Sequence, residues 1–206
     1  LIKMLERVSY DQIYDEHAHV FSVTALQNLL NRNGLEIFRV ENLVVHGGSN
    51  RIYACKQETR EIENSVLENL SLEQEYGIQE LATYEKFAKE VVASKDALIG
   101  LLTDMKNEGR KVVSYGATSK STTVFNYCGI GPDLIDYIVD TTEAKQGKLS
   151  PGMHIPVVPP QSGFDDTVDV AFLGAWNYEK EILSKEENFL KTGGRFVTHI
   201  PYVRFM

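Results

Sequence analysis

The sequence predicts an α/β protein whose second half is a small parallel sheet with flanking helices. Two observations predict it. From residue 111 onward, strand-like apolar runs alternate with helical stretches, the order that parallel strands need for their crossovers. Ahead of them, residues 81–107 repeat apolar side chains at helical spacing: Leu81, Tyr84, Phe87, Ala88, Val91, Val92, Leu98, Leu101, Leu102 and Met105. That stripe sustains too few heptads for a coiled coil and reads as a long helix packed on a core.

Taken in order, the chain opens on Leu1, Ile2, Met4, Leu5 and Val8, an apolar-periodic run without an initiator methionine. It reads as the end of an element begun upstream, so the chain is expected to be part of a longer protein. Residues 22–34 follow as a helix: Ser22 caps it, Val23, Leu26, Leu29 and Leu30 form its apolar stripe, and Gly34 ends it. Strand-like runs at 35–45 and 51–56 flank Gly47-Gly48-Ser49, a connection short enough to force antiparallel pairing. Residues 58–75 are rich in glutamate and lead into the long helix. Beyond it come strands at 111–115, 134–139, 168–173 and 195–200, helices at 119–127 and 179–190, and a Gly/Pro-rich loop at 147–160.

Composition removes several function classes. With 43% hydrophobic and 24% charged residues the chain is an ordinary globular one, and its net charge of −8 leaves no basic face for nucleic acid or an anionic membrane. A local anion site remains possible, because a few donors can hold a phosphate whatever the net charge. No apolar run reaches a membrane span, and Lys3, Glu6 and Arg7 spoil a signal peptide, so a cytoplasmic location is expected. Cys55 and Cys128 lack metal-ligand spacing and are expected as reduced, buried thiols.

Three clusters could carry chemistry. Tyr14, Asp15, Glu16 and His17, with His19 behind them, put titratable groups directly before the first capped helix. As composition they are equally a surface loop, and no third ligand joins the two histidines for a metal. The second cluster is Gly116, Ala117, Thr118, Ser119 and Lys120, where a strand ends and a helix starts with hydroxyls and a lysine. Exposed amides there suit a diphosphate, although one glycine matches neither a dinucleotide fingerprint nor a P-loop. Asp140 closes the next strand, where an acidic residue often meets a ribose hydroxyl; an ordinary turn residue is the alternative. The third is His46, Gly47, Gly48, Ser49 and Arg51, a tight hairpin or a close backbone approach to ligand.

These motifs, with Phe21-Ser22, residues 31–34, Asn126-Tyr127-Cys128-Gly129-Ile130, Lys145-Gln146-Gly147 and Pro151-Gly152-Met153-His154-Ile155-Pro156, resemble in order the SAM-dependent C-methyltransferases of nucleotide-linked (dTDP-type) keto-deoxysugars. The resemblance implies the C-terminal part of such an enzyme. Residues 1–57 would be the remnant of its S-adenosylmethionine domain, 58–107 a helical connection, and 108–206 a C-terminal Rossmann-like domain. It implies His17 as general base, Glu16 as its electrostatic partner and Tyr14 as donor or relay, with the roles of Tyr14 and His17 exchangeable. His46, Gly47, Ser49, Arg51, residues 116–120 and Asp140 would bind the nucleotide sugar. S-adenosylmethionine would be held mainly by the missing upstream part, and zinc only by the family's N-terminal domain, since the zinc cysteines and the Gly-rich SAM loop are absent here. The fragment alone is expected to be inactive. A non-catalytic nucleotide- or NAD-binding module is the alternative, and a structural interaction domain using the 81–107 stripe is a third.

Overall fold

A computed structural model describes all 206 residues, Leu1–Met206, as two units, each with its own core. The first takes Leu1–Arg7 and His17–Lys89; the second takes Val8–Glu16 and Glu90–Met206. No change of composition marks the short segment Val8–Glu16 as part of the second unit.

In the first unit, helix α1 (Ile2–Glu6) precedes helix α2 (Val23–Asn31). Ser22 caps α2 by accepting from the Ala25 amide at 3.0 Å. The Glu73 carboxylate accepts from the amides of Val23 and Thr24 at 2.6 and 2.8 Å, placing a negative side chain on the positive end of the helix. Strands β1 (Leu35–Leu43) and β2 (Ser49–Lys56) pair antiparallel, as their short connection requires, with a register shift between Ile37 and Arg39. The glutamate-rich stretch becomes helix α3 (Asn64–Tyr76). Val23, Ile37, Val40 and Val66 form the core of this unit.

Helix α4 (Leu81–Asn107) has the predicted bounds, yet only part of its stripe is used. Val91, Ser94, Leu98 and Leu102 are buried on one face, while Leu81 and Val92 are exposed.

The second unit holds a six-stranded sheet: β3 (Val112–Tyr115), β4 (Ile138–Val139), β5 (Val157–Val158), β6 (Val170–Leu173), β7 (Arg195–Thr198) and β8 (Arg204–Phe205). Their order is β5-β4-β3-β6-β7-β8, and all pairs are parallel except β7 with β8. The connections include α5 (Ser119–Cys128), α6 (Pro160–Gly163), α7 (Glu179–Lys185) and α8 (Glu187–Lys191). Both central strands are wholly buried, with Val113, Ala171, Leu173, Trp176 and Phe196 in one cluster.

Local pattern misjudged four features. The strand expected at 134–139 shortens to β4, because Asp136 turns its carboxylate onto the Val112 amide (3.1 Å) and the Lys106 ammonium (2.9 Å). The 147–160 loop contains edge strand β5, and the helix at 179–190 breaks at Glu186. Strand β8 was not expected at all. Both cysteines are free, but only Cys128 is buried; Cys55 is half-buried. No helix is long and apolar enough to cross a membrane.

Candidate functional site

Strand order reverses at β3, whose successor β4 lies on one side and β6 on the other. In open α/β sheets, ligands settle beyond the carboxyl ends of strands at such a switch point. The chain leaves β3 through Gly116 and leaves β6 through Gly174. Gly116 takes φ of 100°, a conformation glycine adopts without strain. A Cβ on Gly174 would stand 2.6 Å from the Gly116 carbonyl oxygen, so the two turns pack backbone to backbone.

Hydrogen bonds saturate most of the turn after β3. The Gly116 amide donates to the Val139 carbonyl (2.8 Å), and the Ala117 amide donates to Asp140 (2.7 Å). Thr118 and Ser121 form a reciprocal capping box, and the Thr118 hydroxyl also donates to the Gly174 carbonyl at 2.7 Å. The amides of Ser119 and Lys120 are left as the open donors of the first turn.

Asp140 is buried and spent locally: besides Ala117 it accepts from the Thr142 amide at 2.7 Å, and Lys145 lies 3.5 Å away. Burial pushes this carboxyl up, but the two amides and the lysine outweigh burial and hold it below its ordinary value. Lys145 also donates to the Ala117 carbonyl at 2.7 Å. The turn is thus braced from both sides.

A cleft of about 720 Å³ opens here. Tyr14, Asp15 and Glu16 line it together with Ala117, Thr118, Ser119, Lys145 and Lys148. Two clusters separated by a hundred positions in sequence therefore share one cleft. Lys120 is only 8% exposed and does not line it; its ammonium stands 5.6 Å from the centre of the Tyr14 ring. Burial first, then the charges of Glu16 and Asp11, push the Tyr14 phenol above its ordinary value.

His17 falls in the first unit, as do His46, Gly47, Ser49 and Arg51. There Gly47 and Ser49 line a separate cleft of about 600 Å³ with Ile2, Phe21, Leu26, Leu43 and Leu72. His46 is exposed in a single helical turn, and Arg51 pairs with Glu41 at 3.4 Å. Lys148 carries no signal in the sequence, because one lysine in a loop makes no pattern; its pairing with Val157 at the start of β5 brings it to the cleft.

Residues 44–201 match the family described as C-methyltransferase C-terminal domain. The chain belongs to this family. It is also 35% identical over 205 residues to the C-methyltransferase NovU of Streptomyces niveus. That match covers 99% of this chain and 49% of NovU, so the chain spans about half the length of its curated relative.

Proposed function

We propose that this family member is the substrate-handling part of a SAM-dependent C-methyltransferase acting on a nucleotide-linked keto-deoxysugar. The observation that carries the reading is the shared cleft, where Tyr14 and Glu16 meet the open end of α5. A carbon next to a ketone is acidic because its carbanion delocalises as an enolate. Removal of that proton is assigned to His17, the residue that follows Glu16 in the chain. Tyr14 donates to the developing oxyanion; a phenol held above its ordinary value keeps its proton and suits a donor better than a base. Lys120, against the Tyr14 ring, supplies positive charge to the same end of the cleft. The Ser119 amide, with Lys145 and Lys148, holds the diphosphate.

The methyl donor implied by the family does not fit the residues of this chain. The turn after β3 has its first three amides bonded internally, and Glu73, in the other cleft, is spent on Val23 and Thr24. We therefore assign donor binding to residues outside this chain. An NAD module is less well supported, since Asp140 is occupied by backbone amides instead of facing a ribose.

The test is kinetic and uses the complete enzyme. Tyr14→Phe and His17→Ala are each expected to lower kcat by about 10²-fold, the usual scale for losing a donor or general base. Exchange of solvent deuterium into the carbon next to the ketone falls with it. Lys145→Ala weakens binding of a nucleoside diphosphate about 10-fold, as loss of one charge-assisted contact does. Unchanged exchange in both variants of the first pair overturns the catalytic assignment.

A further inference from the structure

A buried polar node lies under the segment that carries Tyr14. Asp11 is 0% exposed, and its carboxylate accepts a hydrogen bond from the indole N–H of Trp176. His199, 1% exposed, sets its Nε2 3.6 Å from the same carboxylate oxygen. Neither imidazole nitrogen has a hydrogen-bond partner, nor does the second oxygen of Asp11. The His199 ring stacks on Phe172 of β6 at 5.6 Å and meets the edge of Tyr10 at 5.5 Å.

Such a node is a poor way to gain stability. Burying a carboxylate costs several kcal/mol, and a well-packed apolar group of similar size is often as stable or more so. What directional polar contacts add is a fixed orientation. Trp176 follows Gly174 and Ala175, and the Gly174 carbonyl accepts the Thr118 hydroxyl of the α5 cap at 2.7 Å. One short stretch after β6 thus holds the start of α5 on one side and Asp11 on the other. Three residues beyond Asp11, Tyr14 comes back to Lys120 in the first turn of that same helix. The contacts close a ring.

We infer that Asp11 is a positioning residue: held by the Trp176 indole N–H, with His199 packed beside it, it fixes the segment Val8–Glu16 so that Tyr14 and Glu16 stand in the wall of the cleft. This rests on the proposed roles of those two residues, and two separate readouts keep the questions apart. The first is amide hydrogen exchange of residues 9–16, which requires no assumption about activity. Asp11→Ala is expected to speed that exchange about 10-fold or more. Asp11→Asn, whose amide oxygen still accepts the Trp176 N–H, restores most of the protection.

The second readout is the kinetics of the complete enzyme carrying each variant. With the clamp lost, kcat falls about 10-fold while KM for the nucleotide sugar stays within about 2-fold, because the diphosphate contacts remain. Trp176→Phe, which keeps an aromatic ring and loses the donor, reproduces both changes. Unaltered exchange at residues 9–16 in Asp11→Ala and Trp176→Phe overturns the inference, as does faster exchange with an unchanged kcat in an enzyme that Tyr14→Phe impairs. If Tyr14→Phe keeps its full rate, the catalytic assignment has failed instead, and the exchange result alone then decides for or against the clamp.

Discussion

Two glycine turns in this chain look alike as sequence and differ as structure. One is at His46, Gly47 and Gly48; the other is at Gly116, between β3 and α5. Each follows an apolar strand, and each carries hydroxyl and basic residues. In the hairpin, Val44 before the turn is 94% exposed, and the Ser49 hydroxyl makes one local bond, to the Val45 carbonyl. The second turn is tied to β4 through Val139 and Asp140, and to the stretch after β6 through Thr118 and Gly174. Glycine allows both turns, but only cross-links from neighbouring strands make one of them a fixed frame. A frame can hold donors at a set spacing; a hairpin tip presents groups singly.

The sharpest way to break this contrast is at the backbone contact. Gly174→Ala would force a Cβ to 2.6 Å from the Gly116 oxygen and 2.9 Å from the Ser121 Cβ. Backbone cannot yield as a flexible side chain can, so a loss of about 3 kcal/mol is expected, read as a lower denaturation midpoint. A near-neutral result would mean that the two turns are free to part.

A smaller effect is expected at the cap. Thr118→Ala removes the box with Ser121 and the bond to Gly174, for about 1–2 kcal/mol of stability. Serine at 118 keeps the hydroxyl and recovers most of it. Equal losses in the alanine and serine variants would assign the effect to the lost methyl instead.

Asp140 gives the comparison a pH dependence. Its folded-state value is depressed, so its contribution is present above the unfolded value of about 4 and is lost as pH falls through the folded value. Stability of the parent protein therefore declines on the acid side of that window. Asp140→Asn removes this part of the decline. An identical acid limb in both proteins would show that the brace does not depend on charge.

The hairpin supplies the smallest effect. Arg51→Ala breaks an ion pair to Glu41 in which the arginine side chain is 58% exposed, so solvent screens it and the denaturation midpoint should hardly move. A larger shift would give the hairpin the tied character now assigned to the second turn alone.

The sequence by itself determined the α/β class, the bounds of helix α4 and the antiparallel pairing of β1 and β2. These follow from periodicity and loop length, which act between near neighbours. It also marked Tyr14–His17, with His19, and Gly116–Lys120 as two separate clusters with chemistry. Only the tertiary structure decided that Tyr14, Asp15 and Glu16 share a cleft with Ala117, Thr118 and Ser119, because their meeting depends on packing across a hundred positions. Short strands were beyond local reading for a related reason. With two residues each, β4, β5 and β8 are strands only through the partners beside them. Asp140 and Lys120 make the same point at the scale of single side chains. Sequence shows that a carboxylate or an ammonium is available, and the fold decides whether a ligand, a backbone amide or an aromatic ring receives it.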